Sequence, residues 1–441
     1  MGITNIINTI KNFLFSNETR TKITVNVLWR FGDKIIRMGT NVFVWIWIAR
    51  YLGTEQFGIW SYAFAYITFF NALAGLGLDN IVTKAIVDEP MRISEILGSA
   101  FTLKIAGGGL VCLIAGVSIL FVSPGEPVVH LVVLILAVGT VFQAFNAIDS
   151  YYVAIVQAKY SIIARNIAFL LVSLLIIVLL LTARLTVFQL AFITIAEALL
   201  AGFLLVFFYQ KSHTSVKKWS VSLPYCKELL KQSWPLILSG FVVEIFLRID
   251  QIMIGNIMGN SEVGIYSAAV KISEIWYFLP FVVATSVYPN LIETRKQDIK
   301  LYYKRYLTLF RLMNMITISC ALLITFCSGF IISILYKEAY SPAAPILAIH
   351  IWGGVFSFLA MIGDTFYIIE GMQRLFFKRM LCGAILNILL NFYLIPRYGG
   401  VGAAIGTLST QFFVSYFIEL FPKKTRILFL LKSKSFLFIY K

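Results

Sequence analysis

Charge is scarce in this sequence. Asp, Glu, Lys and Arg make up 13% of its 441 residues, about half the share found in ordinary soluble domains. Apolar residues make up 59%. That much apolar surface has no place inside a soluble globule of this length, so the solvent it meets is lipid. Acidic residues are the scarcer sign, 21 against 37 Lys and Arg, for a formal net charge of +16. A basic membrane protein points to anionic lipid surfaces, an anionic substrate, or both. Nucleic acid is excluded as a partner, because no basic cluster carries aromatic interleaving or a folded reading module. Cysteine is sparse too. Cys112, Cys226, Cys320, Cys327 and Cys382 are odd in number and contain no CxxC, which argues against a disulfide framework or a metal site. No Walker A loop or nucleophile elbow appears, so neither an enzyme nor a cofactor is expected. A cleavable signal is missing as well. Ile3, Ile6, Ile7, Ile10 and Leu14 recur instead at helical spacing, which predicts a short interfacial helix within residues 1–22.

Long apolar runs are plentiful. A spanning helix needs about 20 largely apolar residues. Twelve segments qualify: 24–49, 57–78, 96–123, 128–154, 164–183, 186–209, 235–258, 264–290, 307–334, 343–369, 378–396 and 400–421. The fold class is therefore all-α and polytopic. Orientation follows from the basic residues. Of the 37 Lys and Arg, 27 fall in the two ends and the even-numbered loops, and only Arg50, Arg184, Lys337 and Arg397 fall on the opposite side. Both termini and the even-numbered loops are expected in the cytoplasm. The outer loops are too short to hold a catalytic or receptor domain.

The chain repeats itself. GTEQFGIWSYA at 53–63 aligns with GNSEVGIYSAA at 259–269, with Gly53/Gly259, Gly58/Gly264, Ile59/Ile265, Ser61/Ser267 and Ala63/Ala269 identical. Asp149-Ser-Tyr-Tyr152 aligns in turn with Asp364-Thr-Phe-Tyr367. Each window falls at an equivalent place in a six-helix unit. Six is even, so the halves run parallel and are expected around a central cleft, the arrangement of an alternating-access transporter. The expected domains are a segment at 1–22, a lobe at 23–210, a polar linker at 211–233, a second lobe at 234–421 and a basic tail at 422–441.

Charges inside spans are costly, about 2.5–3.5 kcal/mol each at the bilayer centre on insertion scales. Such residues are the candidate cleft residues. The first segment carries Arg30, Asp33, Lys34 and Arg37, and its clean apolar stretch is only Met38–Ala49. Arg30, Lys34 and Arg37 share one helix face. Its repeat partner, the seventh segment, carries Glu244, Arg248 and Asp250, and the eighth carries Lys271 and Glu274. Arg248 and Glu274 lie at similar depth and can form one ion-pair cluster, which serves either structural pairing or substrate contact. Lys104 and Glu197 read as intramembrane singletons, and His350 as a structural histidine. Asp149 and Asp364 read as holders of loop geometry.

The stretches ARYLGTEQFGIWSYAFA (49–65), GLGLDN (75–80) and SWPLILSGFVVEIFLRIDQIMIGNIMGNSEVGIYSAAVKISEIWYFLP (233–280) resemble the Wzx-type O-antigen and capsule flippases. These belong to the multidrug/oligosaccharidyl-lipid/polysaccharide exporter superfamily. The resemblance covers the spanning region, 23–421. It implies a bacterial inner-membrane protein that moves an undecaprenyl-diphosphate-linked oligosaccharide to the periplasmic leaflet. It also implies membrane lipids and the pathway's polymerase and chain-length proteins as partners. It fixes no site residue. Two alternatives stand beside it: a drug/cation antiporter of the same superfamily, and a polytopic polymerase or glycosyltransferase.

Overall fold

The computed structural model describes residues 18–211 and 215–437. The interfacial helix expected near the N-terminus lies almost wholly outside the described residues. Regular structure among the described residues is helical throughout. Lipid leaves little choice, since every backbone group there must be bonded within its own segment. The α-helices are α1 (Glu18–Phe69), α2 (Asn71–Gly75), α3 (Asp79–Asp88), α4 (Ile93–Val122), α5 (Pro127–Val141), α6 (Asn146–Ala154), α7 (Ala158–Leu181) and α8 (Val187–Lys211). They continue with α9 (Leu223–Met258), α10 (Asn260–Glu274), α11 (Phe278–Gln297), α12 (Ile299–Leu335), α13 (Ala343–Ile369), α14 (Gln373–Ser415) and α15 (Arg426–Phe436).

Eight helical spans among the described residues are long and apolar enough to cross a membrane. The other predicted segments are recovered from breaks. Helix α1 holds the first predicted segment and most of the second, separated at Gly53. Helix α14 holds the eleventh and twelfth, separated at Gly399. Helix α9 is the polar span, with Glu244, Arg248 and Asp250 on it. Where a linker was expected at 211–233, α9 already begins at Leu223. A helix of 36 residues is about 54 Å long, well beyond the roughly 30 Å of hydrocarbon. It is therefore longer than a span requires, and Lys227 and Lys231 lie in its first turns.

The repeat is legible in backbone angles. Gly53 has φ 75°, ψ 177° and Gly259 has φ 91°, ψ 174°. That region is open essentially to glycine alone. The two breaks thus place the same turn after α1's first span and after α9. Further on, a side chain on Gly58 would collide with the Asn260 carbonyl, and one on Gly264 with the Thr54 carbonyl. Residues 54 and 260 are themselves repeat mates, so the two helices cross backbone to backbone through exchanged, equivalent contacts. Ser261 Oγ donates to Thr54 Oγ1 at 2.8 Å beside this crossing.

The second match is a helix C-terminus built twice. Gln157 N–H donates to the Tyr152 carbonyl at 2.8 Å and Met372 N–H to the Tyr367 carbonyl at 2.7 Å. The residues before them, Val156 and Gly371, take φ 57° and 66°. This is the left-handed helix ending in which a six-to-one bond closes the last turn. Each ending is braced by an aspartate. Arg165 donates to Asp149 at 2.9 Å, and Arg379 donates to Asp364. Both carboxylates hold the ends of successive helices together.

By packing, the chain forms two compact units. The first comprises Met1–Val44 and Phe70–Phe241, the second Trp45–Phe69 and Val242–Lys441. The first has a core of Leu78, Ile96, Ile148, Tyr152, Tyr209 and Leu229. The second is centred on Tyr302, Tyr306, Phe310, Leu359, Phe366 and Leu428. Leu428 belongs to α15, so the helix of the basic tail is packed into the second unit. Phe121, Phe326 and Phe392 stand exposed, as lipid-facing side chains do.

Candidate functional site

In the second unit, a pocket of about 50 Å³ is lined by Trp45, Phe57, Trp60, Ser61, Phe64, Arg248, Gln251, Ser267, Lys271 and Glu274. The face from α1 follows from spacing. Phe57, Trp60, Ser61 and Phe64 recur at helical intervals and so point one way. Trp45 and Trp60 lie 4.2 Å apart between ring centroids, and Trp60 stacks on Phe64 at 4.7 Å. From α9 comes Arg248, whose Nη1 is 3.6 Å from Glu274 Oε1. From α10 comes Lys271, its ammonium 5.3 Å above the Trp45 ring. Lys271 makes no ion pair among the described residues, so the pocket holds one cation more than it has carboxylates. Trp60 Nε1, Arg248 Nε and Ser267 Oγ are buried and make no hydrogen bond among the described residues.

In the first unit, a larger cavity of about 290 Å³ is lined by Arg37, Gln143, Asn146, Arg165, Thr194 and Glu197, among others. Arg37 is engaged on two sides. Its Nε donates to Asp33 at 3.0 Å, and its Nη1 is 3.7 Å from Glu197 Oε1. Its guanidinium also lies 4.9 Å over the Phe169 ring. Arg165 is held by Asp149 at 2.9 Å and Asn146 at 3.0 Å. The lining thus carries two cations, Arg37 and Arg165, against one carboxylate, Glu197, with Asp33 and Asp149 pairing the arginines from behind.

The ten candidates from the sequence are thus not one cluster. Arg248, Lys271 and Glu274 share the second unit's pocket. Arg37 lines the first unit's cavity with Asp33 behind it. Lys34 is half-buried on α1, as is Glu244 one turn before Arg248 on α9. The Arg30 side chain lies outside the described residues. Asp250 is turned away from the pocket. It is buried, and it accepts from the Tyr266 hydroxyl and from Gln251 N–H. Lys104 is fully buried and donates to Asp79. Neither Lys104 nor Glu197 is a singleton. Their partners, Asp79 and Arg37, lie on other helices and no spacing rule reaches them. His350 is buried against Ser273 Oγ at 2.7 Å, a hydrogen-bonded core histidine.

Sequence reasoning missed the aromatic half of the pocket, although Trp60, Ser61 and Ser267 lie inside the repeat windows. It also missed a buried network in the second unit. Lys432 Nζ donates to Glu419 Oε1 at 2.7 Å and to the Ser415 carbonyl at 2.6 Å. Arg379 Nη1 stands 3.5 Å from the same carboxylate.

Comparison with known proteins places this geometry. Residues 23–295 match the family described as polysaccharide biosynthesis protein. A Shigella flexneri protein named as an O-antigen transporter is 25% identical over 173 residues, 38% of this chain and 40% of that protein. The chain spans only a third to a half of the length of the curated relatives it matches. Among solved structures, an inward-facing multidrug-resistance MATE-family transporter of the MOP superfamily superposes with a TM-score of 0.75 at 14% identity, over 90% of this chain and 95% of the other. The lipid II flippase MurJ, inward closed, gives 0.69 at 16%, over 93% and 91%. At such identities these likenesses establish the fold. The family match, over more than half of the sequence, shows that this multi-span chain belongs to the polysaccharide biosynthesis protein family.

Proposed function

We propose that this protein is a flippase for lipid-linked oligosaccharides. It carries undecaprenyl-diphosphate-linked repeat units from the cytoplasmic to the periplasmic leaflet of a bacterial inner membrane, for O-antigen or capsule assembly. Both termini are cytoplasmic, and the pathway's polymerase and chain-length proteins receive the product. The six-helix lobes at 23–210 and 234–421 are the moving bodies of an alternating-access cycle. The sugar and diphosphate travel in polar surroundings while the polyprenyl tail stays in lipid.

One observation carries this reading against a drug/cation antiporter. The second unit's pocket holds Arg248 and Lys271 against a single carboxylate, Glu274. A cation carrier needs net negative charge, whereas a diphosphate or an acidic sugar is attracted by net positive charge. The aromatic wall of Trp45, Trp60 and Phe64 suits a sugar ring better than a bare ion.

The test is flipping in proteoliposomes. A fluorescent polyprenyl-diphosphate saccharide should become accessible to reagents on the far leaflet only when the protein is present. Export of an organic cation, with no movement of the saccharide lipid, would establish the antiporter instead. Topology is checked separately. Reporter fusions after residues 125, 184, 261 and 340 should report periplasm, and those after 90, 160, 220, 300 and 375 cytoplasm. An inverted pattern would remove the assigned direction.

A further inference from the structure

We propose that the tail helix α15 is a docking surface for anionic phospholipid headgroups, and that lipid held there steadies the second unit. The surface goes beyond the flippase reading and stands or falls without it.

Depth is the first observation. Helices α12 and α13 are joined by the short connection 336–342, so their adjoining ends, Leu335 and Ala343, mark one edge of the membrane. At helical rise, Asn314 lies about 31 Å along α12 from Leu335, and Gly363 about 30 Å along α13 from Ala343. The hydrocarbon is about 30 Å thick. Both residues therefore sit at the opposite edge, and α15 is packed against both. Asn314 Nδ2 donates to Ser435 Oγ at 2.7 Å, and a side chain on Gly363 would come within 3.0 Å of Lys432 Nζ. Two separate helices thus place α15 at the same depth, where hydrocarbon gives way to headgroups.

The open face of the helix is the second observation. Every charged residue after Glu419 is a cation. Leu428, Leu431, Lys432 and Ser435 are buried at helical spacing, while Arg426, Leu430, Lys434 and Leu437 are exposed along the other side. Lys423 and Lys424, just before the helix, are exposed as well. Leu430 and Leu437 are 50% and 63% exposed. Leucine interleaved with lysine on one open face is the pattern of a helix lying in a headgroup layer, its apolar side chains at the acyl boundary and its cations at the phosphates. Any phospholipid would cover the leucines, but the cations select an anionic one. The inward face passes the effect to the bundle. Lys432 is bonded to Glu419 and to the Ser415 carbonyl, so a lipid-held α15 steadies the ends of α12, α13 and α14.

The experiment melts the full chain in nanodiscs of phosphatidylcholine alone and of phosphatidylcholine with an equal part of phosphatidylglycerol. The wild type should melt about 3 °C or more higher in the anionic discs. Lys423→Gln, Lys424→Gln and Lys434→Gln together should lose most of that gain. In neutral discs they should melt as the wild type does, because all three side chains are exposed. Lys434→Gln alone should lose roughly a third of the gain, which keeps the test open if the triple variant folds poorly. The control is a second exposed cluster, Lys296, Lys300 and Lys304. Lys300 lies about 52 Å along α12 from Leu335, beyond the headgroups. Changing these three to Gln alters net charge equally but should leave the gain nearly intact. Equal melting of the wild type in both discs would overturn the proposal. So would an equal loss from the two triple variants, or a tail variant that already melts lower in neutral discs.

Discussion

Two ion clusters in the second unit make opposite use of the same residue types. Around Glu419, charges are shut in. The side chains of Lys432 and Glu419 are 0% exposed and that of Arg379 3%, with the ammonium 2.7 Å from the carboxylate. Around Glu274, charges stand loose. Arg248 and Glu274 are 25% and 26% exposed and 3.6 Å apart, with donors left over. The first arrangement sets two cations, Lys432 and Arg379, against two carboxylates, Glu419 and Asp364, and ties the tail helix α15 to the ends of α13 and α14. The second is partly exposed and carries two cations, Arg248 and Lys271, against one carboxylate. Buried ion pairs are weak evidence of net stabilisation, but breaking one strands a charge in low dielectric. The contrast therefore separates charges closed off inside the fold from charges that stand partly exposed beside a pocket.

The sharpest way to break this comparison is Lys432→Met. Glu419 would be left buried against the more distant Arg379, at a cost of about 3–5 kcal/mol. Thermal unfolding in detergent should show a large fall, and membranes should hold less protein. Adding Glu419→Gln should recover most of it. An unchanged melting temperature in Lys432→Met would show that the network is not a lock. Next comes Gly58→Ala. Its Cβ meets the Asn260 carbonyl, and backbone cannot swing aside as a side chain does, so a loss of about 1–3 kcal/mol or more is expected by the same assay. Arg248→Gln should behave differently. Flipping in proteoliposomes should drop about tenfold, equivalent to about 1.4 kcal/mol of barrier, with melting within about 1 kcal/mol of wild type because the pair is partly solvated. Arg248→Lys should keep much of the rate. Loss of protein without a specific loss of flipping would return Arg248 to the structural class. The smallest effect is a gain. Val156 sits at φ 57°, where a side chain costs about 1–2 kcal/mol and glycine nothing. Val156→Gly should raise stability by about 1 kcal/mol, and an unchanged or lower melting point would show that the turn is held for other reasons.

Much of the fold could be read from the sequence because lipid simplifies the problem. Apolar length marks the spans, and the glycine-bearing repeat marked turns that prove to share φ and ψ at Gly53 and Gly259. The pairing of Asp149 and Asp364 with arginines on following helices was half visible, since their equivalence could be seen but Arg165 and Arg379 could not be singled out. The site was less legible. Charges in spans are conspicuous, so Arg37, Arg248 and Lys271 stood out. Whether a charge faces a cavity or a partner depends on helices distant in sequence. Asp250 therefore looked like Arg248 until Tyr266 was seen to close it. Trp45 and Trp60 were inconspicuous because an aromatic in a span is usually packing. The tail network escaped because a run as short as α15 gives no spanning signal, and nothing in its sequence says that Lys432 is buried.

The paired turns at Gly53 and Gly259 also bear on how the two halves diverged. A duplicated gene begins with two copies of every feature. Here the stereochemistry is still held in duplicate: the glycine-only angles, the mutual crossing at Gly58 and Gly264, and the arginine-braced helix endings. The ionisable inventory is not. One half carries Arg37 beside Glu197, while the other carries Arg248 and Lys271 beside Glu274. Errors in the turns would disable either half, whereas a changed side chain alters only what that half recognises. The ionisable residues of one half can therefore change while the duplicated backbone turns of both stay as they are.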